Sequence, residues 1–541
     1  MTALVGTAPR LLVIGDVPSG EVGVEAVGRK AFNLMRMVEA GLSVPPGFVL
    51  GTAMCRDYLA TKQAPNDLDE LLAEGIASLE RASGLDFGGR RRPLLVAARS
   101  GAPTSMPGML ETVLNLGLCE TTVNGLLRAT GDPRFVWDSY RRLIRQYAQV
   151  VCGLDGAGFD AVTATVMRRE AVEAIDELDV AALRELTSRF LDLFARAAGE
   201  PFPQSPTAQL RGAALAVLRS WDSPRARAYR RMEHLDDSGG TAVTVQEMVF
   251  GNMGMTSGAG VGFTRDPATG EDRFYVDFLL DAQGEDLVSG RCEAPDSDAA
   301  IAAVPGLAQE LSRARRRLEA LFGDAQEFEF TVQEGRFHLL QSRTAKRTPW
   351  AALRIACDLV DEGLIDEEAG LRLIAGIDLD SLSRSHIAGD ASDALLCRGT
   401  PASPGVVRGP MALSLGEAQR CADAGQPAIL IRPEPTTADI SGLANCAALV
   451  TASGARTSHA AVVARQLGRP CVVGCREITL RPGDGACHFD GRVVAEGGLL
   501  TVDGTTGRIY TGEVATVVER PEPLIHRVRT WAQPVPSRAR G

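Results

Sequence analysis

The chain has 541 residues, a net charge of −11 and 45% hydrophobic residues, enough for two to four domains of about 100–200 residues, each with an ordinary core. The acidic balance excludes nucleic acid as the main partner, because a binder of phosphate backbones presents a basic surface. No window approaches the roughly 18 uninterrupted apolar residues of a membrane span, and the opening stretch meets Asp16 early and lacks a basic lead, so neither membrane insertion nor secretion is expected.

Eleven cysteines occur without a CxxC array, and Cys471 and Cys475 sit in the apolar run CVVGC, which reads as buried strand. A reducing, cytoplasmic setting is expected. Only three of the 57 basic residues are lysines, Lys30, Lys62 and Lys346. Each is therefore worth inspecting, since a compact ammonium on a thin stem does not do the work of a guanidinium.

In chain order, Gly28-Arg-Lys30 offers a glycine turn with a lysine at a helix start, and LLVAARSGAPTSMPGM runs from a strand through Arg99 into a Gly/Pro/Ser loop. In such a setting Arg99 is suited to hold phosphate while the loop closes. Neither stretch matches the Walker A pattern, and glycine loops are common connectors. Short β-rich runs (LLVAARS, TAVTVQEMVF, EFEFTVQ, FHLLQSR) alternate with helical stretches at 180–198 and 306–322, which predicts an α/β or α+β domain over 1–347. Residues 349–376 read as a pair of helices within a 348–398 linker, whose 377–398 part loses periodicity and is a candidate hinge. A second domain of short strands is expected over 399–515, with one helix at 459–467, followed by a tail over 516–541.

Two constellations carry chemistry. In Glu327-Phe-Glu329-Phe-Thr-Val-Gln-Glu-Gly-Arg-Phe-His-Leu-Leu-Gln341-Ser-Arg343, two alternating runs flank Glu334-Gly335. A three-residue loop centred on Gly335 sets Glu329 opposite Gln341 and Glu327 opposite Arg343. Two oxygen donors beside a guanidinium suit a Mg²⁺-nucleotide, with Glu329 and Gln341 toward the metal. An exposed polar sheet face with one cross-strand ion pair is the plainer alternative.

The second is Gly454-Ala-Arg456-Thr457-Ser458-His459, followed by AAVVARQLG. Thr457 and Ser458 are capping candidates, and the helix begins at His459 and stops at Gly468. A helix N-terminus favours a dianionic phosphoryl group by roughly 0.3–2 kcal/mol. The same field opposes imidazolium and keeps the ring nucleophilic. A histidine at a helix start is otherwise a cap or a packed surface residue; the TSHAAVVAR context points to reaction instead.

Several blocks, VAARSGAPTSMPGMLETVLNLGL, FVWDSYRRLI, SWDSPRARAYRRM, VQEMVFGNMGMTSGAGVGFTRDPATGE, DAQGEDLVSG, FEFTVQEGRFHLLQSRTAKRT, GTPASPGVVRGP and TSHAAVVARQLGRPCVVGC, resemble the pyruvate phosphate dikinase family in the order that family shows. The resemblance implies an ATP-grasp nucleotide-binding domain followed by a swivelling phosphohistidine domain. It also implies that the β-phosphoryl of ATP ends on the histidine, with inorganic phosphate taking the γ-phosphoryl and AMP released. Residue by residue, His459 resembles the phosphorylated histidine. Lys30, Arg99, Glu327, Glu329, Gln341 and Arg343 resemble nucleotide, phosphate and Mg²⁺ contacts, and Arg142 in DSYRR resembles an arginine serving phosphate. Thr457 matches a position of regulatory phosphorylation in plant members.

The departures are Glu327 where the family usually has Asp, Ala455 in place of the second glycine of a pair, and Arg456 in place of Met, which adds a positive charge near the nucleophile. In the full dikinase a (β/α)₈ barrel follows and holds pyruvate; here LIHRVRTWAQPV resembles its lead-in, and no residue is assigned to pyruvate or phosphoenolpyruvate. Three outcomes stay open: transfer to pyruvate on a separate barrel subunit, transfer to another small-molecule acceptor, and a non-catalytic nucleotide-binding regulator. Retention of Lys30, Arg99, Glu329, Gln341, Arg343 and His459 together argues against the last.

Overall fold

The computed structural model describes residues 10–16, 18–104, 106, 109–284, 297–434, 442–454, 459–481 and 483–531. The chain forms two compact units, Met1–Met253 with His338–Gln341, and Gly254–Phe337 with Ser342–Gly541. This division falls inside the 1–347 stretch that reads as a single domain in the sequence. No helix among the described residues is long and apolar enough to cross a membrane.

The first unit mixes sheet and helix. Its elements include β1 (Leu11–Val13), α1 (Val24–Glu39), β2 (Gly47–Leu50), α2 (Leu68–Ser83), β3 (Val96–Gly101), β4 (Thr112–Leu116), α3 (Pro133–Val150), α4 (Val180–Ala198), α5 (Pro206–Ser220) and β5 (Ala242–Glu247). The strands form one sheet of order β1-β2-β5-β3-β4, antiparallel throughout. Helix starts follow their local chemistry. Asp179 accepts from Ala182 N at 2.7 Å, and Asp132 accepts from Phe135 N at 3.0 Å ahead of Pro133. The core gathers aromatics from separate elements, with Phe202 edge-on to Tyr147 and Phe194 at centroid distances of 5.5 and 5.3 Å.

The second unit opens with β6 (Gly258–Phe263), β7 (Tyr275–Leu280), α6 (Leu307–Phe322), β8 (Gln326–Gln333) and β9 (Arg336–Thr344), in a sheet of order β9-β8-β6-β7. The sequence GAGVGF makes β6 bare on one face. A Cβ at Gly258, Gly260 or Gly262 would lie 2.2–2.5 Å from the rings of Phe278, Phe330 or Phe328. The glycines thus let three aromatic side chains lie flat on the strand, which is the use of glycine where close approach is needed. The opposite face is left for Val261, Phe263, Glu327 and Glu329, since side chains alternate along each strand.

The turn between β8 and β9 has two residues, Glu334 and Gly335, with φ of 48° and 78°, instead of the three-residue loop expected. Two successive left-handed residues match the twist of the flanking strands. The buried positions of β9 then run Phe337, Leu339, Ser342, a one-residue change of phase that puts Arg343 on the face of Glu327.

After α7 (Pro349–Asp361) and α8 (Glu367–Leu373), the expected connector 377–398 contains structure. β10 (Arg384–Ile387) pairs antiparallel with β19 (Thr516–Glu519), and Ala388 N donates to Ala515 O at 2.8 Å. Arg384 bonds Glu519 at 2.8 Å and lies 4.2 Å from the ring centroid of Trp350. The expected tail continues as α11 (Glu522–Trp531), whose Ile525 and Val528 bury against Leu353, Cys357 and Ile374. Reading 516–541 as a tail missed this helix, because the residues it covers are distant in sequence.

Between these strands lie β11 (Leu395–Arg398), β12 (Thr400–Ser403), β13 (Val406–Ala412), α9 (Leu415–Asp423), β14 (Ile429–Arg432), β15 (Ala448–Thr451), α10 (His459–Gln466), β16 (Cys471–Val473), β17 (Leu499–Asp503) and β18 (Arg508–Thr511). They build a mixed eight-stranded sheet of order β11-β18-β17-β13-β14-β15-β16-β12, parallel from β13 to β16. Its two faces bury separate apolar clusters, one around Ile429, Val450 and Val502, the other around Leu430, Leu449 and Ala461.

Candidate functional site

In the first unit the cations are placed by a close backbone contact. Helix α1 is broken at Gly28 (φ 76°, ψ 157°), and a Cβ there would sit 1.9 Å from Gly101 O. No other residue fits, so the helix restarts at Arg29, whose N donates to Ala102 O at 2.9 Å. Lys30 falls in the first turn of the restarted helix, its Cβ 3.9 Å from where a Cβ on Gly101 would lie. Arg99, two residues earlier on β3 and so on the same sheet face as Gly101, is the one residue of that strand not buried. Lys30 and Arg99 thus share one patch.

Arg142 on α3 bonds Asp138 at 2.6 Å, and Asp138 also accepts from Arg141 Nε at 3.1 Å. Burial pushes the Asp138 carboxyl up, but the two guanidinium groups outweigh it and hold its pKa below the usual value. One turn on, Gln146 accepts from Leu114 N at 2.8 Å, and Thr112, two residues before Leu114, is the ladder partner of Arg99. The Arg142 face of α3 therefore lies over the strand next to Arg99. The spacing D-S-Y-R-R announces Asp138 as the i−3 and i−4 partner, a signal the reading of Arg142 did not use.

In the second unit, Glu327 and Glu329 stand opposite Phe263 and Val261 in the β8–β6 ladder. Glu327 is 5% exposed and accepts a hydrogen bond from Arg343 Nη2 through Oε1, while its Oε2 is buried with no hydrogen-bond partner. Burial alone would lower the Arg343 pKa; Glu327 and then Glu329 outweigh it and raise it. A buried carboxylate oxygen left bare is costly, so this pair fits a further cation or donor. Mg²⁺ is usually held by one or two carboxylates together with substrate phosphates, not by an all-protein cage. No cluster of three His, Cys, Asp or Glu that could hold a metal occurs among the described residues. Gln341 is half-buried and belongs to the segment counted with the first unit, where Leu339 N donates to Ser43 O at 2.7 Å.

His459 is the first residue of α10, as expected, and the helix ends ahead of Gly468 (φ 61°). Arg456, Thr457 and Ser458 lie outside the described residues. Two features gave no sequence signal. Arg265, 1% exposed, is bonded by Glu319 at 3.0 Å and Glu362 at 2.7 Å, with Asp358 at 3.7 Å; it ties the start of the loop after β6 to α6 and α7. Arg465, on α10, approaches the ring of Phe263.

Residues 56–301 match the pyruvate phosphate dikinase AMP/ATP-binding domain, and residues 424–507 match the mobile domain of PEP-utilising enzymes. The chain is 41% identical over 515 residues to the pyruvate, phosphate dikinase of Clostridium symbiosum, covering 94% of this chain and 58% of that protein. It is 40% identical over 492 residues to pyruvate, phosphate dikinase 2 of Zea mays (90% and 56%) and 39% identical over 521 residues to the enzyme of Rhizobium meliloti (94% and 58%). The chain thus spans little more than half the length of these relatives. Over 56–301 and 424–507 the chain is thus similar to the AMP/ATP-binding domain of pyruvate phosphate dikinase and the mobile domain of PEP-utilising enzymes.

Proposed function

We propose that the chain transfers the β-phosphoryl group of ATP to His459, with inorganic phosphate taking the γ-phosphoryl, so that AMP and pyrophosphate leave. The observation that carries the reading is the position of His459 at the start of α10, inside the stretch that matches the PEP-utilising mobile domain. There the helix N-terminus favours the phosphoryl dianion and disfavours imidazolium. In this reading 1–347 is an ATP-grasp nucleotide domain, 348–398 the linker and 399–515 the phosphohistidine domain, at work in the cytoplasm.

Lys30 and Arg99 contact the phosphate chain, and Arg142, bonded to Asp138, serves the phosphate substrate. Arg343 carries residual charge on the nucleotide. Glu329 and Gln341 would hold Mg²⁺, and the metal would neutralise charge shared by neighbouring phosphates. A ring nitrogen of His459 attacks the β-phosphorus as the bond to the α-phosphate oxygen breaks, and the γ-phosphoryl passes to inorganic phosphate. Arg456, Thr457 and Ser458 support the phosphohistidine end. Onward transfer to pyruvate on a separate barrel subunit is the proposed second half-reaction, supported by the likeness to pyruvate, phosphate dikinases.

The test is incubation of the chain and of His459→Ala with Mg²⁺, phosphate and ATP labelled at the β or the γ position. Acid-labile β-label on the wild type alone, with AMP formed, is expected. Label that persists on His459→Ala would overturn the assignment. Adding a dikinase barrel with pyruvate is expected to drain the label into phosphoenolpyruvate.

A further inference from the structure

The face of the β9-β8-β6-β7 sheet that carries Glu327 and Glu329 also carries Phe263, directly opposite Glu327. Phe263 is fully buried, packed edge-on against Tyr275 at 5.5 Å. A cation from another part of the second unit reaches it: the Arg465 guanidinium lies 5.6 Å from the Phe263 ring centroid. Arg465 is itself fully buried, and its Nε and Nη2 donate to Ala402 O at 3.2 and 2.7 Å. Those two bonds fix the plane of the guanidinium from within the mobile domain, and the ring receives it from the sheet that bears the carboxylates.

Arg465 and His459 are on one helix of eight residues, six residues apart, or about 9 Å along the axis at ~1.5 Å per residue. A rigid helix anchored at its C-terminal end near Phe263 has its N-terminal residue fixed in direction and distance from that point.

We infer that Arg465 is a positioning residue for phosphorylation of His459, acting by seating the C-terminal turn of α10 on Phe263, the ladder neighbour of Glu327. The inference rests on the proposed donor reaction. Burial excludes water from the contact, the condition under which a cation and an aromatic face attract most strongly. Arginine suits it because a planar guanidinium can hold a carbonyl through its edge and meet a ring at the same time, which a lysine ammonium cannot.

The experiment is a double-mutant cycle with Arg465→Lys and Phe263→Leu, read as the single-turnover rate of β-label appearing on His459, together with the KM for ATP and the melting temperature of each protein. Phe263→Leu leaves the bonds from Arg465 to Ala402 untouched, so it reports on the contact even where Arg465→Lys folds poorly. Each single variant is expected to slow labelling by about 5- to 30-fold at saturating ATP with KM unchanged, and the double variant to be no slower than the worse single one, because both remove one contact. Multiplicative losses, or loss of melting temperature with the rate intact, overturn the inference. A wild-type chain that takes no label overturns the donor reaction instead, before the cycle is read.

Discussion

Arg265 and Arg343 are both largely buried arginines of the second unit, and their surroundings differ in one respect. Arg265 has Glu319, Glu362 and Asp358 around it, so its charge is spent inside the protein. Arg343 has Glu327 on one oxygen only, and the other oxygen of that carboxylate is bare. Arg265 Nη1 makes no hydrogen bond but has Asp358 at 3.7 Å; a cation ringed by acids fastens elements together, whereas a carboxylate oxygen with no cation beside it has capacity left for one. The counterpart in the first unit is Asp138, which bonds both Arg141 and Arg142.

The comparison breaks first at Arg265. Arg265→Met leaves the buried Glu319 carboxylate without its cation and is expected to cost about 3–5 kcal/mol, measured by denaturant unfolding, with the KM for ATP unchanged in whatever fraction stays folded. Little loss of stability would mean that the acids there do not depend on it. Arg343→Lys keeps the charge and loses the fork, and is expected to slow His459 labelling about 100-fold, or ~2.7 kcal/mol, while the melting temperature scarcely moves; the reverse pattern would make Arg343 structural.

The smallest expected effect is in acid. The Asp138 carboxyl has a folded-state pKa below its unfolded one, so its stabilisation is present above the unfolded pKa and is lost as pH falls through the folded pKa. Asp138→Asn is expected to cost about 1–3 kcal/mol near neutrality and progressively less in acid. A constant difference between the two proteins down to pH 2 would show that Asp138 is not tied to its arginines.

Local patterns were legible where one stretch of chain contains its own explanation. The 180–198 helix and the EFEFTV strand show their own periodicity, and His459 opens a helix closed by a glycine. What was not legible depends on partners distant in sequence. Alternation fixes the faces of β8 and β9 but not their offset, and the two-residue turn with its later change of phase reached the Glu327–Arg343 pairing by another route. Gly28 looked like an ordinary turn glycine until Gly101 O proved to occupy the space of its missing side chain. Nothing in the 377–398 text reveals that Arg384–Ile387 is a strand, because its partner residues come 129 to 135 positions later.

That last ladder has a topological consequence. Residues 388 to 515 leave and re-enter the rest of the second unit between adjacent strands, with Ala388 N bonded to Ala515 O, so the whole stretch that carries His459 is one very long hairpin loop whose ends are a hydrogen bond apart. A loop closed this tightly is a cassette: it should be removable by a short turn joining Ile387 to Thr516, and it should graft into the tip of a two-stranded hairpin elsewhere without stretching either chain.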